Sequence, residues 1–307
     1  MTLTELRYIV TVAQERHFGR AAEKCHVSQP TLSVAIKKLE SELGIAIFER
    51  SKSSVTVTPL GEKIVAQAQR VLEESRAIKD IASAGKDQFS TPLKLGAIFT
   101  IGPYLFPHLV PHMHKAAPAM PLYLEENYTG VLRKQLRDGE LDAIVVALPF
   151  NEPDVVTRPL YQEKFVVVMP ISHPLAKQVD IDPEQLIDLD LLMLGEGHCF
   201  RDQVFEHCPA LHRKQHSRVG SVLEGSSLET LKHMVATGLG VTVLPESALG
   251  NMDSNLLVTR PFREPAPFRT VALAWRASFP RPGAITALVQ VLKSLAQQLN
   301  AAPLSDD

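Results

Sequence analysis

The chain has 307 residues, of which 45% are hydrophobic and 21% charged, with a formal net charge of −2. This length favours two or three domains, and the composition is that of a globular protein rather than a disordered or fibrous one. The N-terminus lacks a basic run followed by an apolar core, and no apolar stretch approaches a membrane span, so we expect a cytoplasmic protein with no membrane contact.

The net charge conceals an asymmetry between the two ends of the chain. Residues 1–90 carry 13 Lys/Arg and 11 Asp/Glu, whereas the remainder carries 19 and 23. The N-terminal part is therefore mildly basic, and the placement of individual charges must decide whether it binds nucleic acid.

Three short helices and a hairpin are predicted at the N-terminus. Apolar residues at helical spacing predict a helix over 3–16, and an alanine-rich segment predicts a second over 19–24. Ser28 is a good N-cap for a third helix, which Gly44 ends. Two short β-prone runs within 45–57 then predict a hairpin, or wing.

This order of elements is typical of a winged helix-turn-helix. Glutamine can bond adenine edges, serine and threonine can reach bases or phosphates, and lysine neutralises phosphate. The alternative is a small structural helical domain that binds no DNA and whose lysines are solvated. The DNA-contacting candidates are Gln29, Pro30, Thr31, Ser33, Lys37 and Lys38 in the third helix, with Arg50 and Lys52 in the wing.

A long helix is predicted from Pro59 to about Ala84, followed by a polar linker. It carries a heptad-like seam that favours a dimerisation helix. The alternative is a helix that lies on its own domain. The seam consists of Ile64, Ala68, Val71, Ser75, Ile78 and Ala82.

The remainder alternates strands and helices, which predicts an α/β domain with parallel strands buried on both faces. Two such sets would form two lobes with a cleft between them. The predicted strands are 93–99, 122–125, 143–148, 165–170, 191–194, 241–244 and 271–275. The predicted helices are 103–117, 130–138, 227–236 and 284–299.

Two cysteines, Cys199 and Cys208, lie nine residues apart in the second set, and the only other cysteine is Cys25. If residues 200–207 form a helix, the two sulfurs are roughly 14 Å apart. A disulfide requires Cα atoms within about 7 Å, so the bond could form only if the helix unwound. The spacing therefore predicts a conformational switch, in which disulfide formation requires the helix to unwind.

The surroundings of Cys199 indicate which sulfur reacts first. Cys199 lies at the positive end of the predicted helix, and His198 and Arg201 can favour its thiolate. Asp202 is a mixed signal, since it can hydrogen-bond a ligand oxygen or orient a basic side chain, but its charge opposes thiolate formation. Cys208 lies at the opposite helix end, where the helix dipole disfavours a thiolate.

The N-terminal motifs resemble those of LysR-type transcriptional regulators. The resemblance rests on Phe-Gly-Arg-Ala-Ala at 18–22, Val-Ser-Gln-Pro-Thr-Leu-Ser at 27–33, and Thr-Pro-Leu-Gly at 58–61. It implies a winged helix-turn-helix, a long linker helix and a two-lobed effector domain like that of periplasmic binding proteins. It also implies a homotetramer, as a dimer of dimers, on promoter DNA, with RNA polymerase as a partner.

The corresponding domains would be 1–58, 59–88 and 89–307. Within the last, the lobes would be about 89–161 plus 269–307, and 162–268.

The segment 195–202, together with Cys208, resembles the OxyR peroxide-sensor branch of that family. The resemblance implies that Cys199 reacts with hydrogen peroxide, that Cys208 resolves the product as a disulfide, and that antioxidant genes are then activated. It places Thr100 and Thr129 in the peroxide pocket, although both could instead cap helices. The branch also implies that Arg269 supports the thiolate and that a glutaredoxin or thioredoxin resets the switch. Cys25 would be a buried core residue.

Three other interpretations remain open. A LysR-type regulator could bind a small metabolite in the cleft, with inert cysteines. An enzyme such as a thiol peroxidase is disfavoured by the DNA-binding head and by the lack of a Cys-x-x-Cys motif, so we expect no enzyme. A metal sensor could use four ligands, although we expect no metal or organic cofactor. Those ligands would be His198, Cys199, His207 and Cys208.

Overall fold

The computed structural model describes residues 1–50, 55–84, 88–208, 224–250, 252–299 and 301–303. The chain divides into two compact units, Met1–Lys86 and Asp87–Asp307. Within the described residues, none of the helices combines the length and apolar character that a membrane crossing requires.

The first unit contains the three predicted short helices, the hairpin and the long helix. The helices are α1 (Leu3–Glu15), α2 (Phe18–Lys24), α3 (Gln29–Leu43) and α4 (Pro59–Ala84), and the antiparallel hairpin pairs β1 (Phe48–Arg50) with β2 (Val55–Val57).

Local sequence explains the limits of α3. The Ser28 hydroxyl accepts a hydrogen bond from the Thr31 amide at its start, and Gly44 adopts a left-handed φ of 69° at its end. Between α2 and α3, His26 has a φ of 56° and forms the sharp turn of the motif. The predicted helix-turn-helix and hairpin are thus confirmed.

The apolar seam of α4 divides into two parts. Near its start, Ala68 is buried and Ile64 partly buried against the core formed by α1 and α3. Further along the helix, Val71 is 36% exposed and Ile78 is 68% exposed, and the neighbouring Ile81 is 61% exposed. The first half of the helix therefore packs on its own domain, whereas the second half presents an uncovered apolar face.

The second unit is built on a mixed sheet. Its strands are β3 (Leu93–Ile98), β4 (Leu122–Asn127), β5 (Ala143–Ala147), β6 (Val155–Pro170), β7 (Leu191–Leu194), β8 (Glu224–Gly225), β9 (Val241–Pro245), β10 (Leu257–Pro261), β11 (Phe268–Arg276) and β12 (Ala302–Pro303). The strand order is β4-β3-β5-β11-β6-β9-β7-β8, with β10 and β12 also paired to β6. Its α-helices are α5 (Gly102–Ala116), α6 (Thr129–Arg137), α7 (Cys199–His207), α8 (Leu228–Ala236) and α9 (Pro282–Leu295).

The prediction of parallel strands is only partly right. Strand β3 pairs in parallel with β4 and β5, but β11 runs antiparallel to both β5 and β6. Strand β6 begins ten residues before the predicted 165–170 and passes through both halves of the sheet. Two separate hydrophobic cores lie along it, one around β3, β5 and α9 and the other around β7, β9 and α8. We refer to the regions around them as lobe I and lobe II.

Candidate functional site

Helix α7 holds the two cysteines at its opposite ends. Cys199 is its first residue, and Cys208 follows its last, with the Cys208 amide bonded to the Val204 carbonyl at 2.9 Å. Nine residues of helical rise separate the two by about 14 Å. Both are free thiols, as is Cys25, which is buried in the core of the first unit. The structure therefore holds Cys199 and Cys208 too far apart for a disulfide without unwinding the helix.

The two thiols have different environments. Cys208 is 3% exposed, and burial raises its pKa from the ordinary 9.0 to about 11. It is therefore a protonated thiol at neutral pH. Cys199 is half-buried at the N-terminal end of the helix, where the backbone dipole favours negative charge. This difference makes Cys199 the better candidate for a reactive thiolate.

Cys199 borders a small cavity at the edge of lobe I. Its volume is about 10 Å³, which is on the scale of a single water molecule. The cavity is lined by Ile98, Phe99, Thr100, Asn127, Tyr128, Thr129, Gly197, His198 and Cys199.

The Thr129 hydroxyl is available to a molecule in this cavity. Its oxygen is buried and has no hydrogen-bond partner among the described residues. Tyr128, not Thr129, is the N-cap of α6, so the alternative of a helix-capping threonine does not apply. A buried hydroxyl without a partner is unfavourable unless a ligand or water satisfies it.

Arg269 connects Thr100 to the interior of the protein. Its guanidinium donates to the Thr100 hydroxyl at 2.8 Å and to the Thr100 carbonyl at 2.9 Å. It also forms an ion pair with Glu163 in which both side chains are fully buried, and it lies 5.3 Å from the centre of the Phe200 ring. Because the Thr100 oxygen accepts from a cation, its own proton is free to point elsewhere. Thr100 is thus suited to donate to a molecule in the cavity.

The residues flanking Cys199 are arranged differently from the sequence expectation. His198 lines the cavity, but burial lowers its pKa, so the ring is neutral at pH 7 and cannot supply the expected positive charge. Arg201 bonds Glu224 at 2.8 Å and stacks over Phe205, outside the residues that line the cavity. Asp202 is exposed and does not line the cavity either.

The four residues of the metal-sensor interpretation do not converge. His198 and Cys199 lie at the start of α7, whereas His207 and Cys208 lie at its end. Across the part of the chain that the structure describes, no group of three or more His, Cys, Asp or Glu side chains could hold a metal ion.

In the first unit, the predicted DNA-contacting residues share the uncovered side of α3. Of the six candidates on α3, five are exposed, while Ser33 is half-buried. Val34 lies among them with 66% of its surface exposed, which was not expected from the sequence. Its methyl groups could contact thymine methyls in the major groove. The side chain of Arg50 and the whole of Lys52 fall outside the described residues.

Comparison with known proteins identifies the family. Residues 3–62 match the bacterial regulatory helix-turn-helix of the lysR family, and residues 86–297 match the LysR substrate binding domain. The DNA-binding transcriptional dual regulator OxyR of Escherichia coli K12 is 37% identical over 295 residues, which cover 96% of this chain and 95% of that protein. The chain belongs to the LysR family, in its OxyR branch.

Solved structures of OxyR proteins share this fold. A cysteine-to-aspartate variant of full-length OxyR from Pseudomonas aeruginosa is 58% identical, with a TM-score of 0.77, over 100% of this chain and 99% of that one. A cysteine-to-serine variant of OxyR from Corynebacterium glutamicum, with H2O2 bound, is 35% identical, with a TM-score of 0.66, over 97% of this chain and 93% of that one. This LysR-family chain thus has the two-lobed effector domain expected from its sequence.

Several residues of the site were not expected from the sequence. Glu163 is the buried partner of Arg269, 106 positions away, and its only sequence signal is a charge within a β-prone run. Gln203 donates from α7 to the Leu148 carbonyl of lobe I at 3.2 Å. Phe99 and Tyr128 line the cavity directly beside the predicted threonines, so their position next to Thr100 and Thr129 was the available signal.

Proposed function

We propose that this LysR-family protein activates transcription in response to hydrogen peroxide, with Cys199 as the peroxidatic thiol and Cys208 as the resolving thiol. The observation that carries the proposal is the cavity beside Cys199, which is small and is lined by two threonines, one of them with an unpaired buried hydroxyl. A cavity of this size suits a molecule as small as H2O2 better than an organic metabolite, which disfavours the metabolite-binding alternative at this position.

In the first step, the Cys199 thiolate attacks one oxygen of H2O2. A sulfur–oxygen bond forms and the oxygen–oxygen bond breaks, so that Cys199 becomes a sulfenic acid and hydroxide leaves to be protonated to water. Thr100, held by Arg269, and Thr129 hydrogen-bond the peroxide and stabilise the charge that develops on the leaving oxygen.

In the second step, Cys208 attacks the Cys199 sulfenic acid, and the disulfide forms with release of water. Because α7 separates the sulfurs, the helix must unwind. Unwinding withdraws Phe200 and Val204, which are 2% and 1% exposed, from the core of lobe II. It also breaks the bond from Gln203 to Leu148 between the lobes. Oxidation therefore repacks lobe II and its contact with lobe I.

This repacking would reach DNA through subunit contacts. We propose domains at 1–58, 59–88 and 89–307, and a homotetramer arranged as a dimer of dimers. The uncovered apolar face of α4 at Val71, Ile78 and Ile81 supports a role of this helix in pairing subunits. We propose that the protein acts in the cytoplasm with RNA polymerase as a partner, and that a glutaredoxin or thioredoxin reduces the disulfide again.

DNA footprinting of the reduced and the peroxide-treated protein tests this function. We expect the two forms to protect different lengths of a target promoter, and we expect Cys199→Ser to keep the reduced footprint after peroxide. Cys25→Ser is the matched control and should behave as the parent. Identical footprints of reduced and oxidised parent protein would contradict the proposed switch.

A further inference from the structure

Three aromatic residues line the cavity beside Cys199 and pack against one another. The ring centres of Phe99 and Tyr128 are 5.1 Å apart, those of Tyr128 and His198 4.9 Å, and those of Phe99 and His198 6.0 Å. All three rings line the cavity. They form one closed cluster, which we call the aromatic lid.

Tyr128 is the outermost ring of this lid. It is 40% exposed, whereas Phe99 is half-buried and His198 only 6% exposed. Its ring also lies against Gly197, since a Cβ placed on that glycine would be 3.4 Å from two Tyr128 ring carbons. Of the three aromatic residues that line the cavity, Tyr128 is therefore the one that also borders solvent, and its ring packs beside Gly197.

The backbone and the ring of Tyr128 have separate roles. The Tyr128 carbonyl accepts the amides of Val131 and Leu132 in the first turn of α6, and its amide donates to the Asn127 side chain. Replacement of Tyr128 by alanine or leucine removes none of the atoms that form these backbone bonds. The Tyr128 hydroxyl makes no hydrogen bond to the described residues, so only packing holds the ring in place.

We propose that the Tyr128 ring sets the peroxide specificity of Cys199 by excluding alkyl hydroperoxides. The inference rests on the proposed function. An alkyl hydroperoxide would react by the same chemistry, with sulfur gaining an oxygen and an alkoxide leaving to be protonated to the alcohol. Its alkyl group, however, needs space that the aromatic lid occupies. Hydrogen peroxide has no such group and needs no space beyond the cavity.

The test compares the rates at which Cys199 is oxidised by H2O2 and by tert-butyl hydroperoxide, in the full chain, followed by quenched-flow thiol labelling and peptide mass spectrometry. The parent should react much faster with H2O2. Tyr128→Ala should raise the rate with tert-butyl hydroperoxide relative to that with H2O2 by roughly tenfold or more, since excluding even one surplus methyl-sized group is worth about that much. Tyr128→Leu, which keeps apolar bulk, should give a smaller change.

Tyr123→Ala is the matched control. Tyr123 lies on β4 at 55% exposure and does not line the cavity, so its removal should leave the ratio of the two rates at the parent value. An unchanged ratio in both Tyr128 variants, with normal oxidation by H2O2, would overturn the role of Tyr128. Failure of the parent to react selectively at Cys199 with H2O2 would instead overturn the proposed function.

As a second readout, alkylation of Cys199 by a bulky maleimide should accelerate in Tyr128→Ala more than alkylation by iodoacetamide. This measurement needs no peroxide chemistry and therefore reports on the lid alone. Equal acceleration by the two reagents would mean that the variant has loosened the helix rather than opened the lid.

Discussion

Trimming one buried side chain of α7 should make the disulfide easier to form. Val204 is 1% exposed and packs in the core of lobe II. Val204→Ala removes two buried methyl groups at about 0.8 kcal/mol each. A small, partly filled cavity adds about 0.4 kcal/mol to this loss, while the better helix propensity of alanine offsets about 0.6 kcal/mol of it. The reduced, helical state should therefore lose about 1.4 kcal/mol.

If oxidation withdraws Val204 from the core, the oxidised state does not share this loss. The reduction potential of the Cys199–Cys208 pair should then become more negative by about 30 mV, which is a tenfold shift in the equilibrium constant. The measurement is a titration against dithiothreitol redox buffers, with the fraction of disulfide read by mass spectrometry. Denaturation of the reduced protein gives the stability loss independently.

Glu206→Ala is the matched control, because Glu206 lies on the same helix but is exposed. It should leave both the potential and the stability nearly unchanged. A Val204→Ala protein that loses the expected stability yet keeps the parent potential would refute the reasoning, since it would show that Val204 stays buried after oxidation.

Three further predictions concern the thiols and the buried ion pair. Because burial raises the pKa of Cys208 to about 11, its contribution to stability is present below its ordinary pKa of 9.0 and is lost as pH rises through about 11. Denaturation curves of Cys208→Ala should therefore show a smaller loss of stability over this pH range than those of the parent. Equal losses would contradict a buried neutral thiol. Glu163→Gln leaves the charge of Arg269 buried without its partner and should cost about 3–5 kcal/mol in denaturant unfolding, whereas a loss below about 1 kcal/mol would mean that the pair is not buried in solution. Cys208→Ser should retain a sulfenic acid on Cys199 that dimedone traps, whereas trapping equal to that in the parent would argue against Cys208 as the resolving thiol.

Local signals predicted much of the fold. Ser28 and Gly44 act on their own helix through caps and backbone conformation, so the limits of α3 can be read from a few neighbouring residues. Strand β6 could not be delimited in this way. Its first five residues are exposed or only partly buried and include Pro159, and pairing with the distant β11 makes this part of the chain a strand.

The candidate site shows the same limit. The separation of Cys199 and Cys208 followed from their spacing on the condition that residues 200–207 are helical, and the structure has a helix over Cys199–His207. The neutral state of His198 did not, because it depends on burial against Phe99 and Tyr128. Arg201 was expected beside the thiolate, but its partner Glu224 lies on a strand 23 residues further along the chain.

The most direct test of the account is mass spectrometry of the reduced protein, intact and as peptides, seconds after about one equivalent of H2O2, with free thiols labelled. We expect a single product in which Cys199 is bonded to Cys208 while Cys25 remains a free thiol. Slow oxidation spread over all three cysteines would contradict it.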